Sequence, residues 1–147
     1  MRLLTLLALV CSLSLAAAAD DDANKADKDK LQGTWQMVSI TVNGEEVPAD
    51  DLKEVKLVVK ADNFQVETPQ TKLEAKFTLD PEKKPKAMDV SVLSGKDKGK
   101  TFKVIYALEG DTFKTCRPAD AAKDRPTEFS SKQDSGLILT VWKRAKS

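Results

Sequence analysis

The stretch LQGTWQMVSI, residues 31–40, separates two kinds of sequence. Before it the chain is a leader-like apolar run and then an unpatterned string of charges. After it, apolar residues recur at every second position. A glycine, Gly33, stands two residues before Trp35 at the head of this first apolar strand. Glycine at such a place suits a backbone that must bend and approach another closely, as at the seam of a closed sheet.

Period-two alternation continues downstream. KLEAKFTLD sets Leu73, Ala75, Phe77 and Leu79 on one face against Lys72, Glu74, Lys76 and Thr78 on the other. AMDVSVLSG repeats the pattern with Met88, Val90 and Val92, and TFKVIYALEG with Phe102, Val104, Tyr106 and Leu108. Each segment reads as a strand with one buried face. Turn signals fall between them. Asn43-Gly44 follows the first strand, and Gly110-Asp111 separates two later ones, setting Leu108 opposite Phe113 and Tyr106 opposite Thr115. A two-residue turn at Asp62-Asn63 would set Val59 opposite Val66. PADDLKE, residues 48–54, is the one segment of the folded part with a short helical pattern. The sum is about eight short strands, the signature of an all-β barrel or sandwich.

The start of the chain has a different character. Residues 1–19 carry Arg2, an apolar run and Ala17-Ala18-Ala19, the layout of a secretory signal peptide. The apolar run is marginal for a membrane span and acidic residues follow it at once, so no stable span is expected after leader removal. The chain is expected to be exported, to a periplasm or the exterior. Residues 20–30, DDDANKADKDK, alternate in charge without apolar periodicity and read as a flexible tether, with a short frayed helix as the alternative. Residues 31–147 form the expected barrel domain.

Composition removes several chemistries. Histidine is absent, which excludes Ser-His-Asp and Cys-His catalysis and His-zinc sites. Beyond the leader the acidic and basic residues number 23 each, which argues against nucleic acid as a partner. Cys116 alone remains once Cys11 leaves with the leader, so no intrachain disulfide is expected. GKDKGKT, residues 95–101, resembles a phosphate loop but has three residues between its glycines and leads into a strand, not a helix. Glu45-Glu46 and Asp50-Asp51 are adjacent acids that do not converge as catalytic pairs must. No calcium loop is present. No catalytic residue, metal site or cofactor is expected.

The buried face supplies the candidate binding residues: Phe64, Phe77, Met88, Val104 and Tyr106, with Thr115 and Arg117 across the turn. Tyr106 needs a partner for its hydroxyl, and the register offers Thr115 across and Arg117 diagonally.

Gly33-Thr34-Trp35 resembles the G-x-W signature that opens lipocalin-like barrels. The resemblance implies that Trp35 plugs one end of an antiparallel up-and-down barrel and that a late arginine stacks on it. Arg144 in VWKR stands in the right region, with Lys143 and Arg125 as substitutes. A wider resemblance runs through LQGTWQMVSITVNGEEVP, FTLDPEKKPKAMDVSV, GKDKGKTFKVIYALEGDTFKTC and DRPTEFSSKQDSGLILTVWKR. These blocks resemble an uncharacterised family of small lipocalin-like domains abundant in planctomycete bacteria. That family implies a fold and an export signal and assigns no activity. Two functional expectations follow. The first is that the barrel is a non-catalytic binder of a small apolar ligand; the alternative is that it is filled by its own side chains and recognises a protein through loops 43–51, 94–100 and 118–128.

Overall fold

The computed structural model describes residues 15–145. Helix α1 (Leu15–Leu31) precedes strands β1 (Gly33–Val42), β2 (Glu45–Glu46), β3 (Lys56–Lys60), β4 (Asn63–Glu67), β5 (Lys72–Asp80), β6 (Ala87–Val92), β7 (Thr101–Glu109), β8 (Thr112–Pro118) and β9 (Leu137–Arg144). Pairing runs β2-β1-β3-β4-β5-β6-β7-β8-β9, every neighbour antiparallel, and β1 also pairs β9. The last pairing closes eight strands into an up-and-down barrel, with two-residue β2 as an extra strand on β1. Closure leaves no long unpaired edge. A single 3-10 turn, Ala49–Leu52, is the helical piece expected between residues 48 and 54, and it buries Leu52.

The alternation becomes the core. Trp35, Leu57, Val59, Phe64, Phe77, Leu79, Met88, Phe102, Val104, Tyr106, Phe113 and Trp142 are all buried in one cluster. Phe64 stacks on Phe77 with ring centroids 4.2 Å apart. Phe113 lies 5.6 Å from Trp35 and 6.5 Å from Tyr106. Such offset and tilted pairs are the favoured aromatic geometries.

Two hairpins follow the expected registers. Val42 pairs Glu45 across Asn43-Gly44, both at positive φ, as a type I′ turn requires. Leu108 pairs Phe113, and Tyr106 pairs Thr115, across Gly110-Asp111. The β3–β4 hairpin differs. Its turn is Ala61-Asp62, so Val59 faces Phe64 and Leu57 faces Val66. Ala61 takes φ 56° because Gln32 grips it: its N–H donates to Gln32 Oε1 at 2.7 Å, and its carbonyl accepts from Gln32 Nε2 at 2.9 Å. Val59 moves its partner by two residues, so every side chain keeps its expected face.

Residues 20–30 are not a tether. They belong to α1, which lies across one end of the barrel and buries Asp27 and Leu31. A charged segment with no apolar stripe gives no periodic helix signal; polar contacts hold this one in place. The leader expectation falls mainly on residues 1–14, outside the described residues.

The 119–136 connection packs outside the barrel. Ala87, Ile105, Cys116 and Pro118 are buried although alternation points them outward. The loop lies on this face, with the Ser130 carbonyl against Cys116 and Pro126 itself buried. Arg125 fastens it, donating from Nη1 to the carbonyls of Met88 at 2.9 Å and Val104 at 2.8 Å and from Nη2 to Asp89 at 2.6 Å.

Candidate functional site

The barrel has two unlike ends. At the capped end lie α1, the turns at 61–62 and 110–111, and the 81–86 connection. At the open end lie the 43–55, 68–71, 93–100 and 119–136 connections.

Gly33, Trp35 and Arg144 meet at the capped end. The Trp35 indole is fully buried, and its Nε1–H donates to the Leu31 carbonyl at 2.8 Å. The Arg144 guanidinium lies 4.3 Å from the indole centroid, a cation–π contact, and donates to the Gln32 carbonyl at 2.9 Å. Lys143 is exposed, and Arg125 is committed to the outer loop, so neither takes that place. The glycine of the opening stretch now has its reason. Gly33 sits at φ 117°, and a Cβ there would stand 3.2 Å from Arg144 Nη1. Gly33→Ala is therefore expected to cost about 1–2 kcal/mol in a denaturant melt, from backbone strain and crowding of the guanidinium.

Five candidate interior residues fill this half. Phe64, Phe77, Met88, Val104 and Tyr106 are buried and pack in the same cluster as Trp35 and Phe113. The Tyr106 hydroxyl is satisfied, but not by Thr115 or Arg117. It donates to Asp27 Oδ2 of α1 at 2.7 Å, and Lys86 Nζ donates to the same oxygen at 2.9 Å. The partner lies 79 residues away, in the segment expected to be a tether.

Burial, and after it the Asp27 carboxylate, push the Tyr106 phenol well above the ordinary tyrosine range. The folded chain therefore keeps a proton that the unfolded chain releases above about pH 10. This contribution to stability is whole below that pH and is lost as pH rises beyond it. Tyr106 is the only tyrosine, so an alkaline titration read by phenolate absorbance should show no ionisation across the ordinary range until the protein unfolds.

Thr115 and Arg117 belong to the other half. Thr115 is half-buried and faces Thr140 across β8–β9. Arg117 is half-buried, lies 4.8 Å from the Phe102 centroid and donates to the Pro118 carbonyl at 3.2 Å. Burial lowers its pKa, with Asp97 partly opposing. Around it the interior-facing residues of the rim are apolar: Val66, Val90 and Val92 are half-buried, while Val42 and Leu73 are 38% and 45% exposed.

Two concavities stand out among the described residues. One of about 490 Å³ lies beside the rim, lined by Val42, Asn43, Glu45, Glu46, Val47, Pro48, Gln133 and Asp134. The other, about 70 Å³, borders Leu79, Asp80, Lys83, Met88 and Arg125 at the capped end. Met88 is the interior candidate that borders one of these two.

Cys116 is buried on the outer face under the loop, its Sγ–H donating to the Ser130 carbonyl at 3.3 Å. Burial raises its thiol pKa, which suits an inert thiol. Among the described residues no three His, Cys, Asp or Glu side chains gather in a way that could hold a metal ion. No described helix is long and apolar enough to cross a membrane. Asp27, Lys86 and the outer clasp of Arg125 carry no sequence motif that marks them.

No family model, no curated protein and no solved structure matches this chain.

Proposed function

We propose that this chain is an exported, non-catalytic binding module that recognises a protein partner with the open end of its barrel. The observation that supports this reading is the filled interior. Trp35, Phe64, Phe77, Met88, Tyr106 and Phe113 occupy the volume that an enclosing ligand pocket would need. What remains accessible is the open rim, where Val42 and Leu73 lie beside the 43–51 and 94–100 connections. An apolar centre ringed by polar loops is the usual anatomy of a recognition patch.

A second reading rests on Arg117. A half-buried guanidinium among Phe102, Val90 and Val92 suits the acidic head of a small amphiphile held at the mouth. Native mass spectrometry of protein purified from its own host separates the two. The interaction module flies as the bare chain and stays bare after fatty acids or isoprenoids are added. A copurifying lipid-sized mass would overturn it in favour of ligand binding. Leu73→Lys should leave stability within about 0.5 kcal/mol, as expected for an exposed rim position. A larger loss in the denaturant midpoint would place Leu73 in the core and remove it from the patch.

A further inference from the structure

Asp27 of α1 is the buried acid among the described residues, with its side chain 5% exposed. Its Oδ2 receives two donors from the barrel wall, the Tyr106 hydroxyl and the Lys86 ammonium. Tyr106 is fixed by the core on β7 and Lys86 stands just before β6, so both donors belong to the barrel and only the acceptor belongs to the helix. Burial keeps the phenol protonated and hence a permanent donor. Lys86 is 41% exposed, which leaves the pair a side open to solvent.

The helix that brings the carboxylate is held mainly by polar contacts. Over residues 22–27, Asn24 donates to the Leu79 carbonyl and Asp27 takes the two donors; the buried apolar anchor, Leu31, comes only at the helix end. The chain is pinned again just beyond. Gln32 donates to the Lys28 carbonyl and grips Ala61, Arg144 donates to the Lys30 and Gln32 carbonyls, and Trp35 holds the Leu31 carbonyl. Residues 22–27 can therefore leave while Lys30, Leu31 and the Trp35 plug stay. A helix of this length has little stability by itself in water. Asp80, whose charge weakly reaches Tyr106, is paired with Lys83 at 3.8 Å, so its opposition to an incoming anion is reduced.

We propose that Tyr106 and Lys86 form a carboxylate-binding site that Asp27 occupies in cis, and that a small free organic carboxylate takes it over by displacing residues 22–27. The helix is then an internal ligand, and its release uncovers the capped end of the barrel. This site is distinct from the open rim, so its failure would leave the rim reading untouched.

The test is chemical rescue. Asp27→Ala should lower the melting temperature, and formate or acetate should restore most of the loss saturably, while chloride at equal ionic strength should not. Adding Lys86→Met or Tyr106→Phe to that variant should abolish the recovery. Recovery no greater than with chloride, or recovery that persists in both double variants, overturns the proposal. In the unsubstituted protein, hexanoate should speed amide hydrogen exchange at residues 22–27 several-fold and leave β7 unchanged. Unchanged exchange at 22–27 overturns the proposal too, and this arm stands even if Asp27→Ala does not fold.

Discussion

Trp35→Ala is expected to lower stability by roughly 3–5 kcal/mol, the cost of removing a large aromatic from a packed core. The indole is fully buried, lies 5.6 Å from Phe113 and supports the Arg144 guanidinium on its face. Alanine would leave a cavity, free the Leu31 carbonyl of its donor and strip Arg144 of its cation–π partner. Loss on that scale is a large share of a single domain's total stability. The readout is a fall in the denaturant midpoint at unchanged slope. Trp35→Phe should cost clearly less, because it keeps a ring in place and gives up mainly the indole hydrogen bond. A Trp35→Ala midpoint equal to that of the parent would mean that the indole does not close this end.

The second large effect is expected outside the barrel. Arg125→Met should cost about 2–3 kcal/mol, the range for hydrogen bonds made by a charged group. Met88 and Val104 face each other across β6–β7 and point their side chains inward, so the outer surface over that pair is bare backbone. The guanidinium lies there and bonds both carbonyls. Its ion pair with Asp89 adds little, because that carboxylate is half exposed. Without the clasp, the 119–136 loop should loosen over Ile105 and Cys116. Limited proteolysis should then cut it in otherwise folded protein. Arg125→Lys should restore only part of the loss, since an ammonium cannot reproduce the planar fork. A loop as resistant as the parent's in Arg125→Met would show that apolar packing alone holds it.

How far the sequence could be read depended on how each residue is buried. Phe77 and Leu79, or Phe102 and Val104, are buried on one side of a strand, and alternation reveals such burial directly. Gly33 could be read as a bend in the chain, whereas Trp35 and Arg144 were joined only by the resemblance of Gly33-Thr34-Trp35 to a barrel-opening signature. Ile105 and Cys116 break the alternation by being buried on the outer face, and the loop that covers them has no period of its own. Ala61 adopts a positive φ that its own chemistry does not favour; Gln32 imposes it from 29 residues away. Asp27 was hidden for a related reason. A carboxylate buried by a tyrosine and a lysine looks, in a linear string of charges, the same as its solvated neighbours. The interior candidates kept their face, and alternation goes no further, since residues that could line a chamber are the same residues that can fill one.

The central claim is that the barrel encloses its own side chains and nothing else. Methyl-resolved NMR during titration with a medium-chain fatty acid tests it most directly. The account predicts that the Met88, Val104 and Leu57 methyls keep their shifts throughout, with any change confined to rim residues such as Val42 and Leu73. Saturable shifts at Met88 and Val104 would contradict it, by showing that the interior opens to admit a ligand.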